Sequence, residues 1–259
     1  MPLKKTKKRK KASRMMTAGP VNVTPTVMQS LIYAEMGHRE PEFEELYSDI
    51  RQKLLTVFAA DSQDYNSFVI GGSGTAAMES VLSSIVHKGR KMLVINNGAF
   101  GDRMAEICDV YGIPAIRTDY QWGEYPQIEG IEALIAQNSD IESVSMVFME
   151  TSTGMVNPVG EVGELCKKYG KMFAIDAVSG FAGDSLDIRA SNVDFCFSNT
   201  NKGLSGLPVI SFVLAKKNSV EKIKDIPERS YYLSLLKHIK YAEQNQTPFT
   251  PQIPLFFML

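Results

Sequence analysis

Cysteine is scarce in this sequence: three residues in 259, Cys108, Cys166 and Cys196, odd in number and far apart. That spacing suggests neither a disulfide framework nor a zinc site, and the reading is a protein of a reducing compartment, the cytoplasm, with no metal. Long apolar runs are missing as well. No stretch approaches the ~20 residues a membrane-spanning helix needs, so no membrane association is expected. The N-terminus also lacks the apolar segment of a secretory signal. Acids are absent from residues 4–14, KKTKKRKKASR, which hold eight Lys and Arg and leave 20 positive against 29 negative side chains elsewhere. Without apolar periodicity this run is expected to be a disordered tail over residues 1–15, ahead of a folded domain over residues 16–259. Such a run can bind nucleic acid or serve as a localisation address. No aromatic is interleaved in it, as single-strand binders require, so nucleic acid is not the expected partner.

What is present is a core's worth of apolar residues, 44% of the chain, arranged in alternating short runs and amphipathic segments. Strands are expected at 68–70, 92–95, 115–116, 144–149, 173–175, 193–197 and 208–215. Helices are expected at 25–34, 42–58, 76–86, 104–111, 128–137 and 159–169, with further helical signal to about 245. Phe43, Leu46, Ile50, Leu54 and Val57 carry the three- and four-residue spacing of the second helix. Such alternation predicts an α/β fold with a mostly parallel central sheet flanked by helices. Between the first two helices, Gly37-His38-Arg39-Glu40 is either a surface loop or the lining of an anion site.

Two of these strands deliver charge to their C-terminal ends, where ligands of open α/β sheets collect. Phe173-Ala174-Ile175 ends on Asp176, and the run at 193–197 is followed by Ser198-Asn199-Thr200-Asn201-Lys202. A carboxylate and an amine converging there suit a pyridine cofactor, with the lysine bonded to it and the aspartate paired with its ring nitrogen. An exposed lysine and a helix-capping aspartate would give the same pattern. Gly71-Gly72-Ser73-Gly74-Thr75 joins a strand to a helix, which places backbone N–H groups and two hydroxyls at a positive helix end. It is neither a Walker loop nor a full dinucleotide fingerprint, so a single phosphate or a plain turn is the choice. Phe100, just past another strand, either stacks on a flat ring or packs in the core.

Taken together, GGSGT at 71–75, NNGAFGDR at 96–103, ETSTG at 150–154, DAVS at 176–179, SNTNK at 198–202 and TPFTP at 247–251 form a set. In that order it resembles the class V pyridoxal-phosphate aminotransferases of fold type I. The resemblance runs from Thr17 to Pro251. Within the family the likeness is to the 2-aminoethylphosphonate–pyruvate branch, and the alanine–glyoxylate and serine–pyruvate branches are similar.

The resemblance implies the cofactor pyridoxal 5′-phosphate, with Lys202 as its covalent anchor and proton carrier and Asp176 as partner of the ring nitrogen. Ser73, Gly74, Thr75 and Asn201 are implied to hold the phosphate. Phe100 is implied to stack on the ring, Thr151 to touch its hydroxyl side and Val178 to lie beneath it. Thr250, favoured slightly over Thr247, is implied to complete a phosphate site across a homodimer. An amino donor and a 2-oxo acid are the implied partners: 2-aminoethylphosphonate and pyruvate, giving phosphonoacetaldehyde and alanine. Family members continue into a small α/β domain that supplies an arginine for the substrate carboxylate. Here the sequence ends at Leu259, so the fold type I large domain is expected with the small domain truncated. A cofactor-binding remnant without turnover is the alternative from outside the enzyme class.

Overall fold

One strand pairing decides where the chemistry of this chain collects. In the computed structural model, which describes residues 14–32 and 35–259, seven strands form one sheet in the order β1-β9-β8-β7-β4-β2-β3. All but Arg14 and Met15 of the expected tail lies outside the described residues. In chain order the first elements are α1 (Pro25–Gln29), α2 (Pro41–Val57), β1 (Tyr65–Gly71), α3 (Gly74–Leu82), β2 (Lys91–Asn96) and α4 (Ala99–Val110). There follow β3 (Ala115–Asp119), α5 (Ile128–Gln137), β4 (Ile141–Val147), β5 (Met149–Glu150), β6 (Met155–Val156) and α6 (Val159–Lys168). The last are β7 (Met172–Asp176), β8 (Phe195–Asn199), β9 (Ile210–Lys216), α7 (Lys217–Lys222), α8 (Leu235–Ala242) and α9 (Ile253–Phe256).

Strands β3, β2, β4, β7 and β8 run parallel, while β9 is antiparallel to both β8 and β1. Two antiparallel pairings in succession leave β1 pointing the same way as β8. The C-terminal ends of β1, β7 and β8 therefore share one edge of the sheet, as the register confirms: Asp176 pairs with Phe197, Asn199 with Ser211, and Gly71 with Ile210.

The central strands read as continuous apolar runs because both of their faces are covered. Every residue of β7 and β8 is buried. Phe58, Phe148, Phe181 and Phe212 meet edge-on, with ring centres 4.7 to 6.0 Å apart, the arrangement ring quadrupoles favour. Helix α2 begins with Pro41 at its first turn and Glu42 and Glu44 beside its positive end. It buries Phe43, Tyr47, Ile50, Leu54 and Leu55 as one stripe.

Several expected boundaries move. Helix α1 stops at Gln29, well short of 34: no residue of it is buried, so packing does not extend it. Helix α4 starts at Ala99, five residues ahead of the expected 104, which turns Phe100 and Arg103 from loop residues into neighbours on a helix. Met149 leaves the central sheet and pairs with Val156 in the small β5–β6 hairpin. The helical signal to 245 splits into α7 and α8, with Pro227 in the irregular span between them. Arg39 is exposed. Its Nη1 donates to Gln246 Oε1 at 2.6 Å, and its guanidinium lies 5.6 Å from the Tyr241 ring centre.

Close approach makes one helical glycine irreplaceable. A Cβ on Gly163 in α6 would sit 1.8 Å from the Ser191 carbonyl oxygen, a backbone atom that cannot swing aside. Alanine is the better helix former by ~1 kcal/mol. Gly163→Ala is nonetheless expected to destabilise by about 1–3 kcal/mol, because overpacking against backbone outweighs propensity. Urea unfolding midpoints read this directly, and a gain in stability would show that α6 shifts at no cost.

Candidate active site

At the shared sheet edge lies a cleft of about 200 Å³. Three loops build its floor. Strand β7 ends in Asp176, which is 2% exposed, and the following turn is fixed by the Val178 N–H donating to Asp176 Oδ1 at 2.7 Å. Strand β8 ends in Asn199, whose Oδ1 accepts from the Asn201 N–H at 3.0 Å and starts the turn that presents Lys202. The β5 hairpin supplies Thr151.

These meet at one nitrogen. Lys202 Nζ donates to Thr151 Oγ1 at 2.7 Å and to Ser179 Oγ at 2.6 Å, and the two hydroxyls are themselves 2.5 Å apart. Burial pushes the Lys202 amine below the usual lysine range, against the pull of Asp176 and Glu150, and Arg103 adds to the lowering. Burial likewise pushes the Asp176 carboxyl up to about 6, opposed by the Val178 N–H and by Lys202 and assisted by Glu150. Lys202 also lies 5.3 Å from the Phe100 ring centre, so the aromatic lines the cleft while packing against the edge of the core.

One wall is the start of α3. Ser73 is its N-cap residue, yet the Ser73 side chain makes no capping bond. A helix leaves its first N–H groups without partners inside the helix. Gly74 approaches closely: a Cβ there would stand 2.9 Å from Val178 Cγ2. Thr75 Oγ1 accepts from Arg103 Nη1 at 3.3 Å. Asn201 lines the same cleft with an amide oxygen that is buried and has no partner; turned over, that amide would offer its N–H₂. Unused hydroxyl, backbone and amide groups at a helix N-terminus fit a phosphate. A desolvated carboxylate and a half-buried amine fit the pyridine nitrogen and aldehyde of pyridoxal. The donor set thus suits pyridoxal 5′-phosphate.

The cleft brings together nine of the ten residues expected from sequence: Ser73, Gly74, Thr75, Phe100, Thr151, Asp176, Val178, Asn201 and Lys202. Thr250 is exposed and is not among the lining residues. The Thr247 hydroxyl donates to the Phe249 carbonyl at 2.9 Å.

Sequence reasoning missed five participants. Gly19 and Val21 belong to an N-terminal segment lapped over the lysine. The Val21 N–H donates to the Asn201 carbonyl, and any Cβ on Gly19 would stand 2.7 Å from Lys202 Cγ. Ser179, in the quoted DAVS, holds the lysine nitrogen. Arg103, in the quoted NNGAFGDR, lines the cleft. Glu150 is fully buried: its Oε1 accepts from Ser152 N and Oγ and its Oε2 from Phe100 N at 3.2 Å, which ties the start of α4 to the Thr151 turn. An acid followed directly by Thr151 and Ser152 at the end of an apolar run was the available signal for that last role.

Known proteins carry the same arrangement of sequence. The chain is 35% identical over 247 residues to an uncharacterised aminotransferase of Methanocaldococcus jannaschii, covering 95% of this chain and 63% of that protein. It is 34% identical over 233 residues to a 2-aminoethylphosphonate–pyruvate transaminase of Salmonella typhimurium, covering 89% of this chain and 62% of the relative. The chain thus spans a little over three fifths of these curated relatives. Among solved structures, an alanine–glyoxylate aminotransferase from Nostoc superposes with a TM-score of 0.89 at 28% identity, covering 98% of this chain and 68% of that one. An aspartate aminotransferase from Thermus thermophilus gives a TM-score of 0.86 at 26% identity, over 95% and 68% of the two chains. The class V aminotransferase profile matches residues 25–249. The chain belongs to the class V aminotransferase family, and its mostly parallel seven-stranded sheet flanked by helices is the fold type I architecture.

Proposed function

We propose that this chain carries the cofactor site of a pyridoxal 5′-phosphate-dependent aminotransferase that moves an amino group from 2-aminoethylphosphonate to pyruvate, giving phosphonoacetaldehyde and alanine. The observation that carries it is Lys202 Nζ, held by two hydroxyls in a cleft that also contains the buried Asp176 carboxyl. When bound, the cofactor supplies an electron sink conjugated to the bond that loses its proton. The chain's own groups do the rest. Ser73, Gly74, Thr75 and Asn201 would bind the phosphate, with Phe100 against one ring face and Val178 on the other side. Asp176 would hold a proton at the pyridine nitrogen. Lys202 Nζ, its amine form favoured by burial, would anchor the cofactor and, once released, take and return the substrate proton. Thr151 and Ser179 would orient that nitrogen between the two tasks.

Similarity to the Salmonella relative supports the phosphonate donor. Likeness to the Nostoc structure supports the second reading, alanine with glyoxylate. A second copy of the chain is proposed to bring Thr250 to the phosphate, since no lining residue of the single-chain cleft comes from 247–251. The cytoplasm is the proposed setting, consistent with Cys108, Cys166 and Cys196 being buried and free. Among the described residues no helix is long and apolar enough to cross a membrane.

The test uses the cofactor-loaded chain. Adding 2-aminoethylphosphonate is expected to shift the visible absorbance of the bound cofactor, and pyruvate to restore it. A shift with alanine, reversed by glyoxylate, would favour the second reading. No shift with any amine would leave a cofactor-binding remnant.

A further inference from the structure

Arg103 stands in the cleft, where the Asp176 carboxyl feels its charge but, among the described residues, no carboxylate is in contact with it. It lies three residues past Phe100, so one turn of α4 carries its guanidinium over the Phe100 ring, 4.7 Å from the centre. From there Nη1 reaches Thr75 Oγ1 at 3.3 Å. Among the described residues it forms no ion pair. A guanidinium presents five N–H donors in a planar fork, and one long bond to a hydroxyl occupies one of them. The Thr75 oxygen, in accepting that bond, keeps its own O–H to give elsewhere. Arginine and threonine therefore point to the same kind of guest, an acceptor-rich anion at the Ser73–Thr75 end of the cleft, where the first turn of α3 already offers N–H groups.

We propose that Arg103 binds the phosphate dianion of the cofactor and is the residue through which the cleft distinguishes pyridoxal 5′-phosphate from pyridoxal. The assignment rests on the cofactor reading above. It adds to that reading a full positive charge where hydroxyls and backbone dipoles alone would otherwise face two negative ones. Stacking on Phe100 fixes the plane of the fork, so little side-chain freedom remains to be lost on binding.

Equilibrium binding to the cofactor-free chain tests it, with pyridoxal 5′-phosphate and pyridoxal as the two probes and inorganic phosphate as competitor. Arg103→Gln is expected to weaken pyridoxal 5′-phosphate about 10- to 100-fold, the range for a hydrogen bond between charged groups, and to leave pyridoxal unchanged. Competition by inorganic phosphate should fall with it. Arg103→Lys, which keeps the charge but loses the planar fork, is expected to fall between, and it serves as the readout if Arg103→Gln does not fold. Equal weakening of both probes would overturn the proposal, because it would mean that Arg103 only props Phe100. So would an unchanged cofactor affinity joined to weaker binding of 2-aminoethylphosphonate relative to alanine, since Arg103 would then serve the substrate. Borohydride labelling of the unsubstituted chain reads the underlying assignment separately. Label on Lys202 with an unchanged Arg103→Gln overturns the arginine alone; no label at all overturns both.

Discussion

Lys202→Ala is expected to abolish covalent attachment of pyridoxal 5′-phosphate, while borohydride reduction of the unsubstituted chain fixes the pyridoxyl group on the peptide that contains Lys202. Only a primary amine can bond to the aldehyde, and among the lining residues of the cleft only Lys202 has one. The remaining lysines are poor substitutes. Lys171 donates to the Ile141 carbonyl and Lys91 pairs with Asp140, both at the N-terminal ends of strands and so at the opposite edge of the sheet. The depressed pKa adds a second expectation. Because burial favours the neutral amine of Lys202, its labelling should persist at pH values where ordinary lysines are protonated and silent. Mass spectrometry of protein reduced across a pH series measures both. Pyridoxyl on Lys88, Lys91, Lys171 or Lys216 would place the chemistry elsewhere, and turnover in the alanine variant would remove the lysine from it.

How much of this site can be read without coordinates depends on how local each residue's placement is. Asp176 and Lys202 are legible because each follows a short apolar run, and strand ends are where open sheets put their ligands. Gly74 is legible for the same kind of reason: a glycine-rich turn between strand and helix leaves few alternatives. Arg103 was hidden by a boundary. With α4 expected from 104, Phe100 and Arg103 fall in a loop and their relation is undefined; with α4 starting at Ala99 they stand three apart on one helix face. No propensity rule marks that start, for Gly98 gives no side-chain cap and the turn is held by Glu150, fifty residues onward. Ser179 and Gly19 are non-local in the same sense. Each meets Lys202 only because β7 pairs with β8 and because the N-terminal segment crosses over the lysine. The sheet's composition was plain in the apolar runs, whereas its strand order was not. Nothing in the run at 208–215 announces that it will lie antiparallel between β1 and β8.

Asp176→Asn is expected to make the cofactor-free chain more stable and the loaded chain nearly inactive. The carboxyl is 2% exposed and its pKa is raised from 3.8 to about 6. A raised acid pKa means the folded state holds the proton more tightly than the unfolded state. Well below pH 4 both states are protonated and the burial costs little; stability falls between about pH 4, where the unfolded carboxyl loses its proton, and about pH 6, where the folded one does, and the loss is complete above that. That difference corresponds to at most about 3 kcal/mol, because the Lys202 charge can rearrange around it. Asparagine keeps an oxygen for the Val178 N–H and removes the charge. The melting temperature of the cofactor-free variant should therefore exceed that of the parent by several degrees at pH 8, and the difference should vanish well below pH 4. Loaded with cofactor, the same variant has a neutral group where a proton on the pyridine nitrogen needs an anion. Its amino-transfer rate should drop by about 100-fold or more, the scale of losing one preorganised electrostatic partner. Calorimetry across pH and single-turnover absorbance measure the two arms. A variant that melts lower at pH 8 would show that Lys202 already compensates the buried charge. A variant that both melts higher and turns over normally would remove Asp176 from the chemistry and leave its burial without a function.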